Sequence, residues 1–137
     1  MKMFFDTSAF AKRYIEEEGS DTVEQLCGEA TALALSVICV PEIISALNRL
    51  VREDFLSRNQ YRKVKSRLSA EVVDATIVNL VPAVVADAIR VLETNAVRAM
   101  DTLHIACALQ WEAELFISSD ERQLSAARRE KLRTKKV

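Results

Sequence analysis

The chain has only two glycines, Gly19 and Gly28, in 137 residues. That is too few, and too isolated, for a glycine-rich loop that cradles phosphate. Its three cysteines, Cys27, Cys39 and Cys107, are odd in number and lack metal-ligand spacing. A disulfide framework and a cysteine zinc site are therefore both disfavoured, and the thiols read as small buried hydrophobes of a reduced, cytoplasmic protein. No apolar run approaches the roughly 18 residues of a membrane span, and the opening MKMFFD is too short for a signal peptide, so a soluble protein with no membrane partner is expected. Neither sign of charge dominates: 19 basic against 20 acidic residues give a formal net charge of -1 and a pI of about 5.9. A polyanion would have to be met by a local basic patch. There is no repeat, low-complexity tract or linker, and 50% hydrophobic residues supply a substantial core, so one domain over residues 1–137 is expected.

What is present is an alternation of short apolar runs and helical patterns. Lys2 to Phe5 reads as a strand and Ala9 to Glu17 as a helix. Gly19-Ser20-Asp21 interrupts that helix and caps another through about Cys27. Ala32 to Val37 is apolar enough for a buried strand. Pro41 suits the start of a helix, where its missing N–H does no harm. Ile43, Ile44, Leu47, Leu50 and Val51 recur at helical intervals, and Asn59 to Val73 supplies the second arm of a helical hairpin. Ala75 to Val81 reads as a strand ended by Pro82, followed by a helix to about Thr94 and another from Asp101 to about Trp111. Glu114 to Ser118 is a short strand, Glu121 to Lys131 a helix with Leu124 inward, and Thr134 to Val137 a small edge strand. The pattern predicts a mostly parallel sheet covered on both faces, an α/β class.

Four acids, Asp6, Glu42, Asp101 and Asp120, sit where a strand-like run or loop gives way to a helical pattern. Taken singly, each is explained as a helix cap or first-turn acid favoured by the helix dipole. Asp6 and Asp120, however, both follow apolar strands, at the ends where α/β proteins gather their ligand sites. If all four converge, two carboxylates about 4 Å apart repel by about 4 kcal/mol at an effective dielectric near 20, against about 0.3–1 kcal/mol from each helix terminus. A bound Mg²⁺, or Mn²⁺, relieves that repulsion with oxygen ligands and retained waters; protonation through raised pKa values is the competing relief. Ser8 and Ser118 stand two residues from Asp6 and Asp120, placed either to orient carboxylates or simply to cap helices. His104, the sole histidine, lies one turn after Asp101, with a packed hydrogen-bonded role as the default and catalysis as the alternative.

At these residues the chain resembles the PIN-domain ribonucleases, in particular the VapC-type toxins of toxin–antitoxin pairs. Phe5-Asp6-Thr7-Ser8-Ala9 with Lys12-Arg13-Tyr14 looks like the family's opening strand and helix, and Glu42 with Ser45-Ala46-Leu47 like its second acidic motif. Arg98 to Ala106 resembles the third and Phe116 to Leu124 the fourth, so four motifs in order cover nearly the whole length. The resemblance implies a three-layer α/β/α fold with four or five mostly parallel strands and magnesium-dependent endoribonuclease activity, a hydrolysis by metal-activated water with one or two ions. It places Asp6, Glu42, Asp101 and Asp120 as catalytic and metal-binding acids, with Ser118 where the family has Thr or Ser. It also implies a homodimer and a small antitoxin whose C-terminal segment blocks the site. The tail departs from the family, since Glu130 to Val137 is highly charged and no glycine precedes the last strand.

An acidic pocket repels RNA, so basic residues must hold the backbone around it. Lys12 and Arg13 are the candidates nearest the expected pocket, with Arg49 of the helical hairpin as a third; the wider clusters in the hairpin and the tail read equally as solvated faces. A reading of another class is a PIN-fold binding or regulatory protein with little or no nuclease activity. A phosphatase with an aspartyl nucleophile would want a second acid two residues after Asp6, where Ser8 stands.

Overall fold

A computed structural model describes residues Met1–Val137. Five parallel strands form one sheet in the order β3-β2-β1-β4-β5: β1 (Lys2–Phe5), β2 (Ala32–Ser36), β3 (Thr76–Val78), β4 (Leu115–Ser118) and β5 (Thr134–Lys136). The registers pair Phe4 with Ala34 on one side and with Phe116 on the other. Seven helices connect and cover the sheet: α1 (Thr7–Phe10), α2 (Ser20–Glu29), α3 (Cys39–Arg52), α4 (Arg58–Glu71), α5 (Pro82–Thr94), α6 (Ala99–Gln110) and α7 (Glu121–Arg129). Because strand side chains alternate between faces, β1 serves two cores. Phe4 and Phe116, stacked at 5.9 Å, face Val84, Val91, Ile105 and Leu124 of α5, α6 and α7. Met3 and Phe5 face Phe10, Val23, Ile43, Leu47 and Leu68 of α1 to α4. This is the expected three-layer α/β/α arrangement. No helix is long and apolar enough to cross a membrane.

Several boundaries differ from the sequence expectation. The helix expected over Ala9 to Glu17 is α1, which ends at Phe10, followed by a 3₁₀ turn over Ala11–Arg13. The acids Glu16 to Glu18 offer no apolar stripe to continue it, and Gly19 at φ 93° starts α2. A Cβ at Gly19 would lie 2.8 Å from the carbonyl carbon of Val137, so this glycine is needed for its backbone angle and for space. α3 begins at Cys39, two residues before Pro41, which still falls where the helix N–H groups are unpaired. β3 is confined to Thr76–Val78, and α6 starts at Ala99, so Asp101 lies inside its first turn rather than at its cap. The charged tail does form β5, parallel to β4, without a preceding glycine: Phe116 pairs with Thr134 and Ser118 with Lys136.

Candidate active site

The carboxyl ends of β1 and β4, the central strand and its neighbour, place the first group. Asp6 directly follows β1, its N–H donating to the Ile117 carbonyl at 3.0 Å. It is 1% exposed. Its Oδ1 accepts from the Ala9 N–H at 2.9 Å, as the cap of α1, and its Oδ2 from the Ser118 hydroxyl at 2.6 Å. The Ser8 hydroxyl sits 2.8 and 2.9 Å from the two oxygens. Ser118 Oγ in turn accepts from the Asp120 N–H at 3.0 Å, and Ser8 Oγ from the Ser119 N–H at 3.1 Å. The two serines thus stitch the β1 end to the β4 end around one buried carboxylate. Burial pushes the Asp6 carboxyl above its ordinary range, against opposing pulls from the Ser118 hydroxyl, the His104 charge, the Ala9 N–H and Ser8.

A second group joins α1, α3 and α6. Glu42, in the first turn of α3, accepts at Oε1 from the Thr7 hydroxyl at 2.6 Å, and His104 Nε2 lies 2.7 Å from the same oxygen. Thr7 Oγ1 and His104 Nε2 are 3.2 Å apart. His104 Nδ1 is buried without a partner, so the ring is held through Nε2 alone. For Glu42, burial works upward, but the hydrogen bonds from His104 and Thr7, with the histidine charge, outweigh it and hold the carboxyl below its ordinary range.

The third group faces solvent. Asp101 and Asp120 line an open cleft of about 610 Å³ together with Ala96, Val97, Arg98 and Arg122. Asp120 caps α7 through the Arg122 N–H at 2.9 Å, and Gln123 Nε2 donates to Asp101 Oδ1 at 3.3 Å. Partial burial raises the Asp101 carboxyl first, and the charges of Asp120 and Glu42 raise it further against the Arg98 N–H and His104. The acids therefore feel one another across the rim. No three of them stand ready as a cation cage. The donor set nevertheless fits a hard cation that keeps several waters: Glu42 Oε2 and Asp120 Oδ2 have no protein hydrogen-bond partner, Asp101 meets Gln123 and the Arg98 N–H, and both oxygens of Asp6 are engaged.

Two of the three basic candidates stand elsewhere. Lys12 is buried, with its ammonium on the Glu18 carbonyl, because the short α1 turns it inward. Arg13 is held by Glu24 at 3.0 Å and Glu71 at 3.1 Å on the far side of the α1 turn. Neither is free to hold a substrate. Arg49 stands near one of the acids, lining with Glu42, Ser45, Ala46 and Arg52 a hollow of about 260 Å³. Sequence reasoning missed Thr7, Arg98, Arg122 and Gln123; the available signal was their adjacency to Asp6, Asp101 and Asp120 on turns that share the rim.

The sequence profile of the PIN domain matches residues 3–129. The chain belongs to the PIN domain family. No curated protein sequence matches it. Among solved structures, the PIN fold seen here is shared with a chain of VapBC2 from Rickettsia felis, in a complex with a DNA fragment from its promoter, at 12% identity and TM-score 0.72 over 100% of this chain and 99% of that one. A chain of a toxin–antitoxin complex from Klebsiella pneumoniae matches at 13% identity and TM-score 0.69 over 90% of each chain. VapC20 of Mycobacterium tuberculosis, described as a sarcin–ricin loop cleaving toxin, matches at 14% identity and TM-score 0.68, over 90% of this chain and 94% of that one. At these identities the likeness is one of fold.

Proposed function

We propose that this PIN domain, as a single unit over residues 1–137, is a magnesium-dependent endoribonuclease serving as the toxin of a toxin–antitoxin pair in the cytoplasm. The observation that carries the reading is the acidic rim: Glu42 and Asp120 each keep one oxygen without a protein partner, and the Asp101 carboxyl is pushed up first by burial and then by the charges of Asp120 and Glu42. Such an arrangement is poor for stability and suited to a cation. Glu42, Asp101, Asp120 and Asp6 would hold Mg²⁺ or Mn²⁺. The ion supplies Lewis acidity toward a phosphodiester and lowers the pKa of a bound water. The chain's own residues do the rest. Ser8 and Ser118 fix Asp6, Thr7 and His104 fix Glu42 Oε1 and so aim Oε2, and Arg98, Arg122 and Arg49 flank the acids to take backbone phosphates. The toxin role and the antitoxin partner draw support from the Klebsiella complex, and RNA as substrate from the VapC20 description.

Asp6→Asn should lower metal-dependent cleavage of RNA by about 100-fold or more. The amide keeps one acceptor, and the serine hydroxyls rotate to meet its NH₂, so the circular-dichroism spectrum should stay that of the parent. Full metal-dependent activity in this variant removes Asp6 from the catalytic acids. Self-association has its own observation: Val81, Val85, Ile89 and Leu92 form an exposed apolar stripe along α5, extended by Met100 of α6. Ile89, at 52% exposure, lies at its centre. A second copy docking there would complete a homodimer. Ile89→Asp should then convert the dimer to monomer in sedimentation velocity, and a monomeric parent would refute the pairing.

A further inference from the structure

One large aromatic side chain contributes nothing to either core. Phe55 is 76% exposed at the tip of the α3–α4 hairpin. Its backbone is nonetheless fixed. Asp54 takes a left-handed φ of 61°, its N–H donates to the Val51 carbonyl at 3.2 Å, and the Phe55 N–H donates to the Leu50 carbonyl at 2.9 Å. These two bonds are the helix-ending pattern in which the residue Phe55 occupies ordinarily packs back on the helix. Here the next residue, Leu56, packs on the core instead, and the other hairpin aromatic, Tyr61, packs there too while bonding Asn48. Phe55 is left as an exposed ring on a hydrogen-bonded turn.

Its flanks carry charges of both signs, Arg52 and Arg58 standing beside the exposed Glu53 and Asp54. Arg49, Arg52 and Arg58 make no ion pair, whereas Arg13, Arg67, Arg90 and Arg128 are all paired to acids. The hollow that begins at Glu42 runs through Ser45 and Arg49 to Arg52, ten residues or about 15 Å along α3. Phe55 follows Arg52, the last residue of α3, by three positions in the chain. Cations following a groove, closed by an aromatic face, are how single-stranded nucleic acid is held without base-pair readout.

We infer that the α3 face and Phe55 form a single-strand RNA track, in which Arg49 and Arg52 take phosphates leading away from the acidic rim and an unpaired base stacks on Phe55. The inference rests on the nuclease reading for its substrate and goes beyond it in naming an unpaired segment on one side of the cut. A duplex cannot present a base face to the ring, so the site selects loops or ends.

The test measures binding of a single-stranded oligoribonucleotide carrying 2-aminopurine, with Asp120→Asn as the parent so that no RNA is cut. Adding Phe55→Ala should weaken binding roughly 5- to 150-fold, the worth of one base stack, and abolish the fluorescence quench; Phe55→Trp should preserve both. Arg52→Gln should reduce the salt slope by about 1, and Phe55→Ala should leave it unchanged. A blunt RNA duplex should be indifferent to Phe55. In chains with Asp120 intact, Phe55→Ala should raise KM with kcat preserved. Equal single-strand binding by parent and Phe55→Ala overturns the inference, and so does a Phe55→Ala variant that keeps RNA affinity but loses a protein partner. If no chain cleaves RNA yet Phe55→Ala still weakens single-strand binding, the track stands and the nuclease reading falls.

Discussion

Asp101→Asn removes metal-dependent cleavage and, in the metal-free protein at neutral pH, raises the melting temperature. Both effects come from one carboxylate. Burial and the charges of Asp120 and Glu42 lift the Asp101 pKa above its ordinary value. A carboxyl that binds its proton more tightly when folded costs stability at every pH above its unfolded pKa, near ~3.9, and the cost fades as pH falls toward that value. The amide carries no charge and escapes the cost. The gain should amount to a few degrees, since ~1 kcal/mol is worth about 4 °C at this chain length. It should vanish near pH 4. Saturating Mn²⁺ should invert the order, because a ligand at about 100 times its Kd adds about 2.7 kcal/mol to the parent and nothing to a variant that cannot bind it. Calorimetric melts with and without metal, at pH 7 and pH 4, check every part. A variant less stable than the parent without metal would mean that Asp101 is a structural acid.

His104→Ala is the second large effect, and it is mainly one of stability. The ring is 2% exposed and meets both Glu42 and Thr7. Removing it leaves a cavity and takes away the stronger partner of a half-buried carboxylate, together about 2–4 kcal/mol. The pH dependence separates the two parts. Glu42 is held below its ordinary pKa, so the stability it contributes is complete above its unfolded value, near ~4.3, and is lost as pH falls through the lower folded value. The deficit of His104→Ala should therefore be largest at neutral pH and shrink on the acid side, where Glu42 is protonated in both chains. Urea unfolding from pH 7 downward measures this. A constant deficit would assign His104 to packing alone. His104→Gln, which restores a donor, should recover part of the cleavage that His104→Ala loses.

Much of this was legible in the chain because local chemistry and tertiary placement agree. Pro82 starts α5, and apolar runs ending in Asp6 and before Asp120 are parallel strands whose ends share a rim. Misreadings came where the decisive partner is remote. Lys12 and Arg13 are adjacent in sequence to Asp6, but α1 stops at Phe10 and turns them away, a consequence of the acids at 16–18 and of Glu71 on another helix. The Thr7–Glu42–His104 contact joins residues 35 and 62 positions apart, and no periodicity encodes it. β5 formed despite its charge because an edge strand needs only one buried side and tolerates lysine facing water.

The most direct test of the central claim, that the acidic rim holds a catalytic cation, is calorimetric titration of the metal-free protein with Mn²⁺, run beside an RNA cleavage assay on the same sample. The account predicts saturable binding that Asp101→Asn abolishes, with cleavage appearing over the same range of metal concentration. Saturable binding without any metal-dependent product would contradict it and leave a PIN-fold binding protein as the better description; cleavage at full rate in the presence of a chelator would contradict it by showing a nuclease that needs no cation.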